Sequence, residues 1–270
     1  MKNEHYQQAF YTDAYYNPWD FVIDNYDIKS RSRRLWVKDE IYAELVKKHF
    51  VGDGGNCNTI LDVGCGAGTL SILLADWFRV YSLDFSRAML ERLKLRVKEL
   101  KIDGSTLIQA DNQRIPFKDS AFDGSFCKFA LWPVSNPEWA IEEMVRVTKQ
   151  YGRIVILEVD RRTEEYKSNL RTKVVYSSYK ALKRVIRIHK QKNKTVHDDA
   201  AWKLIRDTTK NNPRINLEFI RALLEDNGCE IISVDTTIKE EIDGFMGKLC
   251  GGQCGGHNYF LICAKKGITE

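Results

Sequence analysis

Gly64, Gly66 and Gly68 stand at alternate positions directly after the apolar run Ile60–Val63, and a helical pattern begins immediately beyond them. Glycine permits positive φ and lets a ligand approach the backbone where a Cβ would otherwise stand. A strand, a tight glycine turn and a helix start suit a nucleoside. Two carboxylates flank the turn. Asp62 lies two residues before the first glycine, and Asp84 ends the next apolar stretch, Arg79–Leu83. An acid about twenty residues past such a turn can accept both hydroxyls of a ribose.

The spacing separates two kinds of cofactor. A dinucleotide fingerprint, G-x-G-x-x-G, needs its third glycine at position 69. That residue is Thr69, and the glycine comes one position early. The pattern D-x-G-x-G-x-G, with an acid at the end of the following strand, resembles the class I S-adenosylmethionine-dependent methyltransferases. The resemblance is closest to the small-molecule group related to the ubiquinone-biosynthesis enzymes. It covers residues 56–160 well and 213–265 more loosely. Gln109-Ala110-Asp111-Asn112 with Ile115-Pro116-Phe117, Phe122-Asp123 through Leu131, and Glu143–Lys149 followed by Gly152–Ile156 also carry it.

The resemblance implies S-adenosylmethionine as cofactor and S-adenosylhomocysteine as its product. Asp62 and the turn Gly64-Cys65-Gly66 through Gly68 would receive the amino-acid tail, with Asp62 toward its ammonium. Asp84 would take the ribose, Asp111 the exocyclic amine of adenine, and an amide beside Asn112 a ring nitrogen. Phe85 would pack on the adenine, with ordinary core packing as the alternative. Lys128, at the methyl-facing end of the fourth strand, joins this set, or else is a solvated lysine. Tyr151 departs from the family, which often has glycine there.

These residues need a frame. Strands are predicted at Thr59–Val63, Val80–Asp84, Thr106–Ala110, Phe122–Lys128, Gly152–Val159, Glu230–Thr237 and Asn258–Ala264. Helices are predicted at about Arg33–Phe50, Thr69–Trp77, Ser86–Leu100, Pro137–Thr148 and Glu218–Asn227. A glycine-rich turn at Gly52–Gly55 precedes the first strand. Alternating strand and helix means an α/β fold with a sheet covered on both faces. The resemblance makes it a Rossmann-like, doubly wound, seven-stranded sheet, mostly parallel, with strand seven antiparallel between five and six. A helical N-terminal lid segment (1–50) and a basic helical insertion (161–213) would flank a cofactor-binding core (51–160 and 214–270).

Three segments are candidates for the methyl acceptor. Tyr11, Tyr15, Tyr16 and Trp19 could close over the site as an aromatic lid, shielding a sulfonium cation, or simply pack an N-terminal helix on the sheet. Trp132, after the fourth strand, is a further substrate-side candidate. Cys250, Cys254 and His257 sit on a glycine-rich loop after strand six. Their C-x3-C-x2-H spacing is not a strong zinc pattern, and no metal is assigned; contact with a thiophilic substrate and an incidental loop are the other readings. Tyr16 and His257 are the candidates for a catalytic base.

Residues 161–214 carry sixteen Lys/Arg and five Asp/Glu, whereas the whole chain has a net charge of only +5. Around Val174–Ile186 the pattern suggests an amphipathic helix with a basic outer face. A solvated cap, attraction of an anionic small molecule and nucleic-acid contact all fit such a face. Strand four ends Cys127-Lys128-Phe129-Ala130-Leu131 and lacks the N-P-P-aromatic signature of many base-modifying enzymes.

With 270 residues, 43% hydrophobic and 29% charged, the chain can bury one full core. No apolar stretch approaches the roughly 20 residues of a membrane span. Seven scattered cysteines favour a reducing, cytoplasmic setting over a disulfide scaffold. The expected activity is methyl transfer to a small-molecule acceptor by direct in-line displacement. The alternatives are RNA or other nucleic-acid methylation through the basic insertion, thiol or metalloid methylation through the cysteine loop, and a non-catalytic S-adenosylmethionine-binding module.

Overall fold

The computed structural model describes residues 18–20, 39–51, 57–160, 196–238 and 258–268. Tyr11, Tyr15, Tyr16, the Gly52–Gly55 turn, the amphipathic pattern at 174–186 and the Cys250–His257 loop lie outside the described residues.

Seven strands form one sheet: β1 (Thr59–Val63), β2 (Arg79–Asp84), β3 (Thr106–Gln109), β4 (Phe122–Lys128), β5 (Thr148–Asp160), β6 (Cys229–Asp235) and β7 (Asn258–Lys266). Their order is β3-β2-β1-β4-β5-β7-β6. The first five pair in parallel, and β7 runs antiparallel to both β5 and β6. The expected architecture is therefore present, reversed strand included.

Six helices are described: α1 (Asp39–Lys47), α2 (Thr69–Leu74), α3 (Arg87–Leu100), α4 (Pro137–Val147), α5 (Val196–Thr209) and α6 (Leu217–Asp226). Strand alternation sends successive side chains to opposite faces. Leu61, Val63 and Cys127 pack with Ile141 and Met144 of α4 and Ile220 of α6. Ile60, Phe126 and Val155 pack with Val46 of α1 and Leu70 and Leu74 of α2. Two apolar layers thus clamp the sheet, and the loops at its carboxyl edge are held from both sides.

Local chemistry places the helix starts. The side chains of Ser86, Asn136 and Asn216 cap α3, α4 and α6 by accepting from the amides of Met89, Trp139 and Phe219. Pro137 occupies the first turn of α4, where its missing N–H costs nothing.

Two of the boundaries that differ from expectation have a clear local cause. Helix α2 ends at Leu74, and the amides of Trp77 and Phe78 both close a turn on the Leu74 carbonyl. β5 begins at Thr148, paired with Phe122, and a register shift follows. Within this early stretch Tyr151 has φ +63°. That is the left-handed conformation glycine adopts without strain, and it accounts physically for the glycine expected there.

Candidate active site

The three turn glycines all have positive φ, at 75°, 54° and 74°, but their surroundings differ. A Cβ on Gly64 would stand 2.3 Å from the Ala130 Cβ, and one on Gly68 would stand 2.1 Å from the Leu93 side chain. These two let the loop after β4 and helix α3 pack against the turn. Gly66 has nothing within 4 Å of its Cβ position. It is the glycine that presents bare backbone to open space.

Asp84 organises the open side. Its Oδ2 accepts from the Gly66 amide at 2.7 Å and its Oδ1 from the Ser86 amide at 2.8 Å. A carboxylate has about four lone-pair sites, so each oxygen keeps capacity for a hydroxyl donor. Burial pushes Asp84 up to about 6, with the Asp20 charge adding to the rise and the amide donors opposing it. Phe85 beside it is 39% exposed. It is not core, so the core-packing alternative for this ring falls away.

Asp111 is engaged by its own turn: Oδ1 accepts from the Gln113 amide and both oxygens face the Gln113 amide nitrogen of the side chain at 3.1 Å. The Gln113 Oε1 in turn accepts from Ser135 and from the Asn136 amide. Asn112 donates to the Ala130 carbonyl at 3.4 Å. The end of β3 is thereby tied to the loop after β4.

Asp62 is buried and turned toward α2. Its Oδ2 accepts from Ser71 Oγ at 2.6 Å, and Ser82 donates to Ser71 at 2.8 Å. Burial raises Asp62 to about 7, opposed by the Ser71 hydrogen bond and the nearby Lys128 charge. Burial likewise raises the Cys65 thiol well above its ordinary value, so a thiolate there is disfavoured. Lys128 is not a solvated lysine. Its Nζ lies 4.6 Å from the Tyr42 ring centroid and 5.3 Å from that of Phe129.

Aromatic side chains gather beyond β4. Trp19 meets Trp132 edge-on, with ring centroids 5.8 Å apart. Asp20 accepts from Ser86 Oγ and from the Ala88 amide, which docks the 18–20 turn on the start of α3. Helix α5 packs against the same turn, and Asn212 donates to the Val134 carbonyl at 2.9 Å. Segments from both flanking regions thus meet beside Trp132. Phe129, at φ +55°, packs between Tyr42 and Tyr259.

Several positioning residues escaped sequence reasoning. Arg96, 2% exposed on α3, donates to the Ala67 carbonyl at 2.6 Å. The signal was present, because an arginine follows Met89 and Leu93 at the spacing of the apolar stripe. Glu158, fully buried in the run Ile154–Val159, accepts from the Leu131 and Val159 amides. An acid within an apolar strand marked it.

Residues 61–156 match the family model described as a methyltransferase domain. The matched stretch is a methyltransferase domain. The demethylmenaquinone methyltransferase of Anoxybacillus flavithermus is 32% identical over 151 residues, which are 53% of this chain and 60% of that protein. In four such relatives the match spans 38% to 60% of the relative's own length. Among solved structures, the [4+2]-cyclase SpnF superposes with a TM-score of 0.56 at 20% identity, covering 86% of this chain and 81% of that one. The geranyl diphosphate C-methyltransferase of Streptomyces coelicolor gives 0.56 at 19% identity, covering 84% and 79%. These two likenesses concern the fold, and a cyclase among them illustrates that the fold alone does not set the chemistry.

The methyltransferase domain suits S-adenosylmethionine on its own geometry. Gly66 offers a surface that a Cβ would fill, Asp84 offers carboxylate lone pairs, and Phe85 offers an exposed ring face. Among the described residues no helix is long and apolar enough to cross a membrane.

Proposed function

We propose that this chain transfers a methyl group from S-adenosylmethionine to a carbon of an apolar, aromatic small molecule by direct in-line displacement. The observation that carries the cofactor half is the Gly66–Asp84 hydrogen bond beside the open face of Gly66. The sulfonium of S-adenosylmethionine brings its methyl already activated. The chain therefore has to hold two reactants in line and keep water away. Asp84 and Asp111 would fix the nucleoside, while Gly64 and Gly68 keep the turn close to β4 and α3. Trp19 and Trp132 supply flat apolar surface for a ring acceptor. The names of the curated relatives, demethylmenaquinone methyltransferase and ubiquinone/menaquinone biosynthesis C-methyltransferase, point the acceptor search to reduced quinone rings.

Calorimetry with S-adenosylhomocysteine tests the cofactor. Asp84→Ala should weaken binding at least about thirtyfold, in line with the loss of charge-assisted hydrogen bonds. Affinity like that of the unaltered protein would sink the assignment. Methyl-labelled S-adenosylmethionine offered with a set of reduced quinones tests the acceptor, and label in the ring is the expected result.

A further inference from the structure

We propose that Lys128 anchors the α-carboxylate of the cofactor's amino-acid tail. This deepens the function proposed above and rests on it.

The strand order sets a line of functional groups across the carboxyl edge. Adjacent strands β3, β2, β1 and β4 are followed or ended by Asp111, Asp84, the glycine turn and Lys128. With the ribose at Asp84 and the base toward Asp111 and Phe85, the remaining part of the molecule extends toward β1 and β4. That part is an amino acid, which carries an ammonium and a carboxylate together. A site for it needs acceptors and also a cation.

Register places both charges together. β1 and β4 pair Asp62 with Phe126, and paired residues of parallel strands point to the same face. Lys128 is two residues past Phe126, so its side chain leaves the same face, diagonal to Asp62 and one step nearer the carboxyl edge. There it lies over Tyr42 of α1. Ala130, two residues on, abuts Gly64, so the end of β4 is held directly against the turn.

The surrounding charges are of both signs. Asp39, fully buried at the first position of α1, acts on both Lys128 and Arg96, and Asp62 acts on Lys128. Arg92 adds to the cations around Arg96, and Asp84 adds to the acids around Asp62. A zwitterionic tail brings one charge of each sign to this mixed group. Burial depresses the Lys128 pKa, and Asp39 and Asp62 oppose that fall. A buried ammonium gains strongly from a carboxylate partner.

The test compares two nucleosides. S-adenosylhomocysteine has the tail, and 5′-methylthioadenosine lacks it. Lys128→Met should weaken S-adenosylhomocysteine about ten- to hundredfold and leave 5′-methylthioadenosine within twofold. Lys128→Arg, which keeps the charge, should restore most of the affinity. Equal losses for both ligands would mean a structural role and overturn the proposal. So would unchanged S-adenosylhomocysteine affinity with reduced turnover, the mark of a proton-transfer residue. If the unaltered protein binds neither nucleoside, the cofactor assignment itself fails, and Lys128 with it.

Discussion

Arg96 donates from Nη1 to the carbonyl of Ala67 at 2.6 Å, so a buried guanidinium on α3 grips the glycine turn from behind. Asp39 faces the same guanidinium from α1 and favours its charged form. Removing one member of such a buried pair strands the other. Arg96→Met should cost about 3 kcal/mol in urea unfolding, and adding Asp39→Asn should recover at least about 1 kcal/mol of it through coupling. Simple additivity of the two losses would show that they act separately.

The turn glycines should divide stability from binding. Gly64→Ala drives a methyl into Ala130, so it should lower the melting temperature markedly. Gly66→Ala meets nothing and should cost only the left-handed strain of about 1 kcal/mol. Its S-adenosylhomocysteine affinity should nevertheless collapse, because the new Cβ stands where the ligand approaches. The check is a melting curve without ligand beside a binding isotherm for each variant. Tight binding by Gly66→Ala would move the ligand elsewhere.

Two strained non-glycine residues should respond differently to glycine. Tyr151 (φ +63°) is 56% exposed, and the Lys265 ammonium lies over its ring. Relief of about 1–2 kcal/mol of left-handed strain offsets the combined loss of that contact and of unfolded-state restriction, also about 1–2 kcal/mol. Tyr151→Gly should leave the melting temperature within about 2 °C of the unaltered protein. Phe129 has a similar φ of 55°, but its ring packs on Tyr42 and Tyr259. Phe129→Gly should lose about 2 kcal/mol, because cavity and transfer terms outweigh the relief. Matching shifts in the two variants would show that packing at 129 contributes little.

Asp62 gives a pH dependence with a definite sign. Its pKa is about 7 in the folded chain against an ordinary 3.8, so the folded state holds the proton more tightly. Its contribution is fully present below pH 4 and declines as pH rises toward and through 7, by something on the order of 4 kcal/mol. Half-buried His49, lowered to about 4, has the opposite slope: the unfolded chain binds its proton first, so stability falls as pH drops below about 6.5. The two are separated by difference. Asp62→Asn should lose less stability than the unaltered protein between pH 4 and 7. An identical slope in both would remove Asp62 from the account.

Much of this was legible in the chain because strands, turns and caps are local. Alternation and glycine placement put β1 and β4 at their observed limits, Thr59–Val63 and Phe122–Lys128. The candidate cofactor residues stand out in the chain for the same reason, since each sits at or near a strand end. Lys128 remained ambiguous, because its burial comes from Tyr42, which is remote in sequence. Arg96, Glu158 and Gln113 went unrecognised because their roles depend on partners from other elements. β5 was placed four residues late, because pairing with Phe122 holds Thr148 extended across a stretch with turn-like composition.

The reversal of β7 bears on how this domain can change. Its first residue, Asn258, pairs with Asp160 at the carboxyl edge, and parallel β6 ends on that edge as well. Ile238 and Asn258 therefore both stand toward the carboxyl edge of the sheet, and β6 and β7 are locked into it. Such a junction tolerates exchange of one insert for another of different length without moving Asp84 or the glycine turn. Grafting at this junction is accordingly a route to new acceptors with the nucleoside half left intact.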